Sequence, residues 1–353
     1  MAVFSDEELL RVLEAAIMAP SADNRHRLFF RVAEQAIQIL YGEGELPPAG
    51  GYKRVLALLS LGAVLENLSI AASRYGVSVQ VTLLPERARA DLLANLRLVQ
   101  QAIPVDPLWE LIPRRHTCRE VRFRGPRMNE QELQALDSAV CADSGVRLVW
   151  LDEPGRRRQA ISLMRRAESE RFRNRLLHEE LFSAIRFDVG WQSSCSEGLP
   201  PGSLGVEAPL RPFFALLRHW SVARSANALG MHHLLGIRSC ALPCRLAPHL
   251  GLLAVAATDD QSVLDAGRAF QRLWLVVTGH GRVLQPLPAA ALYACRATSV
   301  LDGIPVALQK DLADGWRDLV GELAPLMIFR AGFAPHSPVW SGRRPVAEYL
   351  RAR

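Results

Sequence analysis

Residues 112–123 read IPRRHTCREVRF, which puts Arg114, Arg115, His116, Thr117 and Arg119 within six positions. Guanidinium forks bind carboxylate and phosphate oxygens in pairs, and a neighbouring hydroxyl adds a further donor. The pattern therefore suits an anionic, oxygen-rich ligand. A second polar group, APSADN (19–24), places Pro20, Ser21 and Asn24 in a loop between a helical stretch and an extended one. A third, RAGFAPHSPVWSGRRPVAEYL (330–350), brings in Arg343 and Arg344. Taken alone, arginine pairs before a helix are mostly solvated or paired with nearby acids. Their meaning depends on what places them.

The chain has 353 residues, 49% of them apolar, enough for two modest domains or one large composite with a real core. Its net charge is +6, and of 42 basic residues only Lys53 and Lys310 are lysines. Codon bias accounts for part of that skew. With no RNP-type aromatic motif, zinc-finger spacing or basic tail, a small phosphorylated ligand explains the arginines at least as well as nucleic acid does. The start, MAVFSDEELL, is acidic and amphipathic, unlike a secretory leader. Apolar runs such as VLALLSLGAVL (55–65) are too short for a bilayer. These features predict a cytoplasmic protein with neither membrane nor nucleic-acid partners. The six cysteines (118, 141, 195, 240, 244 and 295) are then reduced. His232, His233, Cys240, Cys244 and His249 lie close together but lack finger spacing, so no metal is expected. GHGRV (279–283) is too short for a dinucleotide loop and ends a helix where that loop would begin one. A basic amphipathic helix over 156–177 is interrupted by glutamates and reads as a solvated face.

The elements that position the polar groups repeat. GAVLENLSIAASRYGVSV, from Gly62, aligns without gaps on GRAFQRLWLVVTGHGRVL, from Gly267, at an offset of 205. Each is an apolar helix stopped by a glycine (Gly76, Gly281) before an extended segment. SDEELLRVLEAAIMAPS, from Ser5, aligns on NEQELQALDSAVCADSG, from Asn129, at an offset of 124; both open with a capping residue and an acidic first turn. The offsets differ by 81, so the second copy carries a large insertion within 155–240, which is expected to be lid-like. Strand character falls at 29–41, 77–85, 146–151 and 250–258. Residues 1–105 and 106–353 are thus expected to be two tandem, diverged copies of one α+β unit, packed as an intramolecular pseudo-dimer.

On these motifs the chain resembles the nitroreductase superfamily. APSADN is similar to its A-P-S-x-x-N loop, RRHTCREVRF to its R-R-S-x-R-x-F opening, and RAGFAP…RRPVAEYL to its closing R-x-G-Y-A…R-R-P-L-x-E. The order and the repeat most resemble the duplicated, Acg-type branch, in which one polypeptide holds two such halves. In that family FMN sits between two subunits. The resemblance implies one FMN per chain, held by Arg115, Thr117 and Arg119 of the second half and by Pro20, Ser21 and Asn24 of the first. Arg115, Thr117 and Arg343 or Arg344 would clamp the phosphate, and Arg119 would face the N1–C2 edge of the ring, where a cation stabilises reduced flavin. Gln285, Pro286 and Leu287, in LQPLP (284–288), lie where the family offers backbone amides to the N5 edge. NAD(P)H would supply hydride to the flavin, and a small-molecule acceptor would receive the electrons.

The sequence departs from the family where Q-P-W becomes His26-Arg27-Leu28 and where the second copy reads CADSG in place of APSADN. No acid, base or nucleophile is assigned. The alternatives are a weakly active or inactive FMN-storage protein of the same fold, and a flavin-free partner of a biosynthetic enzyme. NADH versus NADPH, the acceptor, and monomer versus homodimer stay open.

Overall fold

The computed structural model describes residues 3–33, 35–49, 51–84, 89–141, 145–294 and 303–352. Ala142–Ser144 of the CADSG segment and the Cys295 thiol lie outside them, as does the Cys141 side chain.

The first copy runs α1 (Asp6–Ile17), β1 (Leu28–Ala33), β2 (Ala36–Tyr41), α2 (Tyr52–Ser73), β3 (Val77–Leu83) and β4 (Leu92–Gln100). The second begins α3 (Glu130–Cys141), β5 (Val146–Trp150). It then makes a helical excursion through α4 (Pro154–Arg173), α5 (Arg175–Ser183), α6 (Arg211–Leu216), α7 (Trp220–Ala228), α8 (Met231–Gly236), a π-helical turn (Ile237–Ala241) and α9 (Leu242–Arg245). It resumes with β6 (His249–Val255), α10 (Asp260–Gly279), β7 (Val283–Pro286), α11 (Ala289–Leu292), α12 (Val306–Val320) and β8 (Ala324–Gly332). The sheets are β1-β2-β4-β3 and β5-β6-β8-β7, all antiparallel. Each takes its strands in the order first, second, fourth, third, with the long helix between its second and third strands. The fold is α+β, with the second sheet and its helices a diverged copy of the first.

Local chemistry repeats with the topology. Ser5 and Glu8 cap α1 reciprocally, Glu8 N donating to Ser5 Oγ at 3.3 Å and Ser5 N to Glu8 Oε2 at 2.8 Å. Asn129 and Glu132 do the same for α3, both bonds at 2.9 Å. Gly76 and Gly281 both adopt positive φ, +64° and +67°, just beyond the long helices, a conformation that costs a side chain free energy.

The two long helices cross at the repeat's matched glycines. A Cβ on Gly62 would sit 2.2 Å from Leu264 O, and one on Gly267 would sit 2.4 Å from Leu59 O. Leu59 and Leu264 are themselves matched at the offset of 205. Further along, Gln271 donates to Asn67 at 2.7 Å and Arg272 to Glu66 at 2.6 Å. Glu66 matches Gln271 and Asn67 matches Arg272, so each contact pairs one residue with the counterpart of its neighbour. That reciprocity is what a two-fold relation between copies produces. The last residues tie the copies again: Val346 and Tyr349 pack into the first copy's core, and Arg351 N donates to Phe30 O at 2.9 Å.

Among the described residues, α2 alone is long and apolar enough to cross a membrane, but 78% of its most apolar window is buried inside the protein. It is apolar all round because neighbours cover it all round.

Three local expectations change. The single strand over 29–41 is two antiparallel strands, paired as far as Ala33 with Ala36. Strands β4 and β8, central in their sheets, join the expected strands: APLMIFRAG is buried along most of its length and shows no period-2 alternation, whereas LLANLRLVQ alternates from Ala94 to Leu98. The helix over 156–177 stops at Arg173: Asn174 is extended and its side chain caps α5 through Leu176 N at 3.0 Å.

Candidate functional site

The C-terminal end of α1 is where the two copies' polar groups converge. Its last carbonyls carry the negative end of the helix dipole and attract cations. Arg343 donates from Nε to Ile17 O at 2.6 Å and from Nη2 to Ala19 O at 2.6 Å. Its Nη1 binds Asn24 Oδ1 and, at 2.8 Å, Gly342 O. Asn24 returns a bond from Nδ2 to Gly342 O at 3.2 Å. Between them the loop is held in an uncommon shape: Asp23 and Asn24 have φ of +53° and +56°. Consecutive left-handed non-glycine residues cost free energy and persist only where their surroundings enforce them. His26 completes the clamp, its Nε2 lying 2.8 Å from Ile17 O and 3.1 Å from Ala19 O. Burial, and then Arg343, lower its pKa to about 3, so it is neutral.

From the second copy Arg115 enters the same place. It is 6% exposed, donates from Nη2 to Met18 O at 3.0 Å, and lies over the Trp274 ring of α10 at 4.5 Å. Burial and then Arg343 hold its pKa down to about 9; enclosure brings Arg343 to about 10. No carboxylate among the described residues pairs with either. Thr117 bridges to Leu284 at the start of β7, and Cys118 N donates to Leu284 O at 3.1 Å, fixing the arginine segment against the second sheet. Arg119 is half-buried; burial lowers its pKa, with Asp23 opposing. Arg330, on β8, is fully buried and bolts the segment from behind. It donates to Glu120 O, to Val121 O at 3.0 Å and to Gln285 Oε1 at 2.7 Å, and covers Phe123 at 3.8 Å.

These groups face one cavity of about 1210 Å³. Pro20, Ser21, Asn24, Arg115, Thr117, Arg119, Gln285, Pro286, Leu287 and Arg343 all line it. Arg344 does not: it faces Glu348 at 3.4 Å and Glu197 at 3.8 Å and lies over Tyr349. Nor does LQPLP present the expected free amides at its end. Leu287 N donates to Ile328 O at 2.7 Å, and Pro286 and Pro288 carry no N–H. Five buried polar atoms on residues of the cavity wall find no hydrogen-bond partner among the described residues: Ser21 Oγ, Arg115 Nε, His116 Nε2, Ser239 Oγ and Ser341 Oγ. Buried polar groups usually find partners, so these five are positions that polar atoms of a ligand could satisfy.

Sequence reasoning gives no role to Arg330, Trp274 or His116, whose ring stands 4.9 Å from that of His336 across the wall. It expects a lid-like insertion at 155–240 but assigns to the site none of the acids, leucines and phenylalanines that the helical excursion brings to the wall. Glu168 and Arg171 on α4 and Tyr293 after α11 form a titratable group there, near Asp23. Burial pushes the Glu168 carboxyl up, against Arg171 at 3.8 Å. Leucines and phenylalanines of α5, α6 and α8 line the rest. The excursion is also tied to the first copy: Gly198 N donates to Asn24 O at 3.2 Å, Arg25 to Ser183 O at 2.7 Å, and Tyr52 to Glu180 at 2.8 Å.

No family profile matches the chain. It is 25% identical to an uncharacterized protein, MT1398, of Mycobacterium tuberculosis (strain CDC 1551 / Oshkosh), over 94% of this chain and 47% of the relative. The chain therefore spans about half the length of the curated relative it matches. Among solved structures it is similar to the FMN-dependent nitroreductase NfnB from Mycobacterium smegmatis in complex with NADPH, at 20% identity, 69% and 96% coverage of this chain and that one, and a TM-score of 0.36. A BluB-like flavoprotein from Clostridium difficile 630 gives 12%, 70%, 98% and 0.37. Iodotyrosine deiodinase bound to FMN and 3-iodo-L-tyrosine gives 15%, 67%, 94% and 0.33. All three TM-scores are low, so the functional reading rests on the site's own residues.

Proposed function

We propose that the chain binds one FMN at the seam of two fused nitroreductase-like copies and works as a flavin-dependent oxidoreductase. We assign residues 1–105 to the first copy and 106–353 to the second, with 155–240 as a lid-like insertion. The observation that carries the reading is the pair Arg115 and Arg343. Among the described residues, two enclosed guanidiniums stand together with no carboxylate paired to either, and one keeps a buried Nε without a partner. An uncompensated charge in such a place is costly, and a phosphate relieves it.

The residues fit the group with a division of labour. Arg343, its donors already engaged, shapes the 17–24 loop. Arg115 and Thr117 supply the direct phosphate contacts, and Ser21 Oγ and Ser341 Oγ add hydroxyls. Arg119 places a cation at the ring edge. Asn24 holds Arg343 and the loop in place of reaching the ring. Arg330 orients Gln285. Held by these residues, a flavin would supply hydride and electron transfer between a reduced nicotinamide and an acceptor. The chain's part is to bind, orient and shield it. Both contributions come from one polypeptide, so a monomer completes its own site.

An anaerobic reduction decides between enzyme and store. Protein reconstituted with FMN should lose its visible flavin band on adding NADPH or NADH and regain it with an acceptor. A band unmoved by either nucleotide would favour the storage role, and a protein that cannot be reconstituted would overturn both.

A further inference from the structure

We propose that the outer part of the cavity is a second binding site, for an uncharged molecule carrying an aliphatic chain. The proposal rests on the flavin reading only in that this molecule would share the cavity with the cofactor.

Size comes first. Pockets for a single small ligand run from roughly 300 to 1,000 Å³, and this one holds about 1210 Å³. The cationic end occupies only the seam between the copies. Beyond it the wall changes chemistry: Leu181, Leu210, Phe213, Leu217, Leu234 and Leu235, all from the helical excursion, face the same space. The carboxylates on this wall are already engaged, Glu207 by Arg238 at 2.8 Å and Glu180 by the Tyr52 hydroxyl at 2.8 Å. The guanidinium of Arg238 on this wall is already engaged, by Glu207 at 2.8 Å and Gly205 O at 2.6 Å. A charged ligand would find no free counter-charge there, whereas an apolar chain would lose only water.

The mouth shows the same preference. Leu210, Phe213 and Leu234 line the cavity yet are 51%, 40% and 60% exposed. Three large apolar side chains at one opening leave apolar area in water that an entering chain would cover. The insertion's other rings are taken up among themselves, Phe182 against His178 at 4.4 Å and Phe187 against Trp191 at 6.4 Å, which leaves the wall mostly to leucines. Further in, Glu168, Arg171 and Tyr293 offer donors and acceptors of both signs to a polar, uncharged head.

The test uses the FMN-reconstituted protein and 1-alkanols from hexanol to dodecanol, titrated as competitors of bound Nile red. Affinity should rise roughly threefold to fourfold with each methylene. Phe213→Asp and Leu234→Asp should each weaken decanol at least tenfold. Leu229→Asp, at a position 90% exposed and off the cavity wall, should leave it unchanged. All three positions are exposed enough for the variants to fold, which circular dichroism would verify. Affinity independent of chain length, or equal weakening by Leu229→Asp, would overturn the proposal. Flavin absorbance read on the same samples separates the two readings. Flavin retained without alkanol binding removes the second site alone, whereas alkanol binding in a protein that takes up no FMN supports the second site and removes the flavin.

Discussion

The first copy is lean: its β1 and β2 are joined by a short hairpin. In the second copy the equivalent strands, β5 and β6, are separated by six helices and a π-turn. The second copy also carries α11 and α12 between β7 and β8, where β3 and β4 of the first are joined by a short link, yet the strand order is the same, so the fold tolerates growth at two connections without loss of the shared frame. That is the general behaviour of surface loops. What the copies no longer share is the site. The first supplies the loop after α1, the second supplies Arg115, Thr117 and Arg119, and the excursion walls the space between. Duplication followed by divergence allows each copy to keep one side of a single cavity.

The comparison breaks most severely at the helix crossing. Gly62→Ala and Gly267→Ala should each destabilise the protein by about 3 kcal/mol in urea unfolding, because the new methyl meets backbone. Glycine to alanine inside an ordinary helix stabilises by roughly 1 kcal/mol, so a gain at either position would mean that the copies do not meet there. Next is the clamp on the first copy. Arg343→Met leaves several carbonyls around α1's end without their donor and should cost about 2–3 kcal/mol, along with most of the FMN affinity. Unchanged stability would show that the 17–24 loop holds its own shape.

Acid should then find the first copy's weak point. His26 is neutral when folded, with a pKa of about 3, and titrates near 6.5 when unfolded. Since the unfolded chain takes up the proton first, this contribution is intact above about pH 6.5. It fades as pH falls toward 3. Linkage gives about 2 kcal/mol lost between pH 7 and pH 5. His26→Gln should flatten that stretch of the stability profile, and an identical slope in the variant would assign the acid sensitivity elsewhere. The smallest effect is expected at Arg344, which faces partly exposed glutamates: Arg344→Met should shift stability by less than about 0.5 kcal/mol and leave FMN binding as it was. Loss of the cofactor in this variant would exchange the roles given to Arg343 and Arg344.

Much of this frame is legible in the amino acids. Matched helix caps, matched glycines and a constant offset announce two copies because each reflects a local rule: a capping box, a left-handed turn, a close backbone approach. The arginine segment is legible because forked cations beside a hydroxyl are chemically distinctive. Other features depend on distant partners. Arg330 looks like any arginine until the 120–123 segment, Pro243 and Gln285 close around it. Strand β8 reads ambiguously because a strand buried on both sides loses its alternation; β4, by contrast, alternates from Ala94 to Leu98. Asn24 carries a ligand-like identity in sequence, yet its amide is spent on Arg343 and Gly342. The apolar wall is assembled from helices far apart in the chain, and no short window contains it.

The central claim is one cofactor site completed by both copies within a single chain. It is tested most directly by titrating FMN into the protein while light scattering reports its mass. One FMN should bind per chain on a species of single-chain mass, and Arg115→Ala, still folded, should bind at least tenfold more weakly. FMN held only by a two-chain species, or held equally well without Arg115, would contradict it.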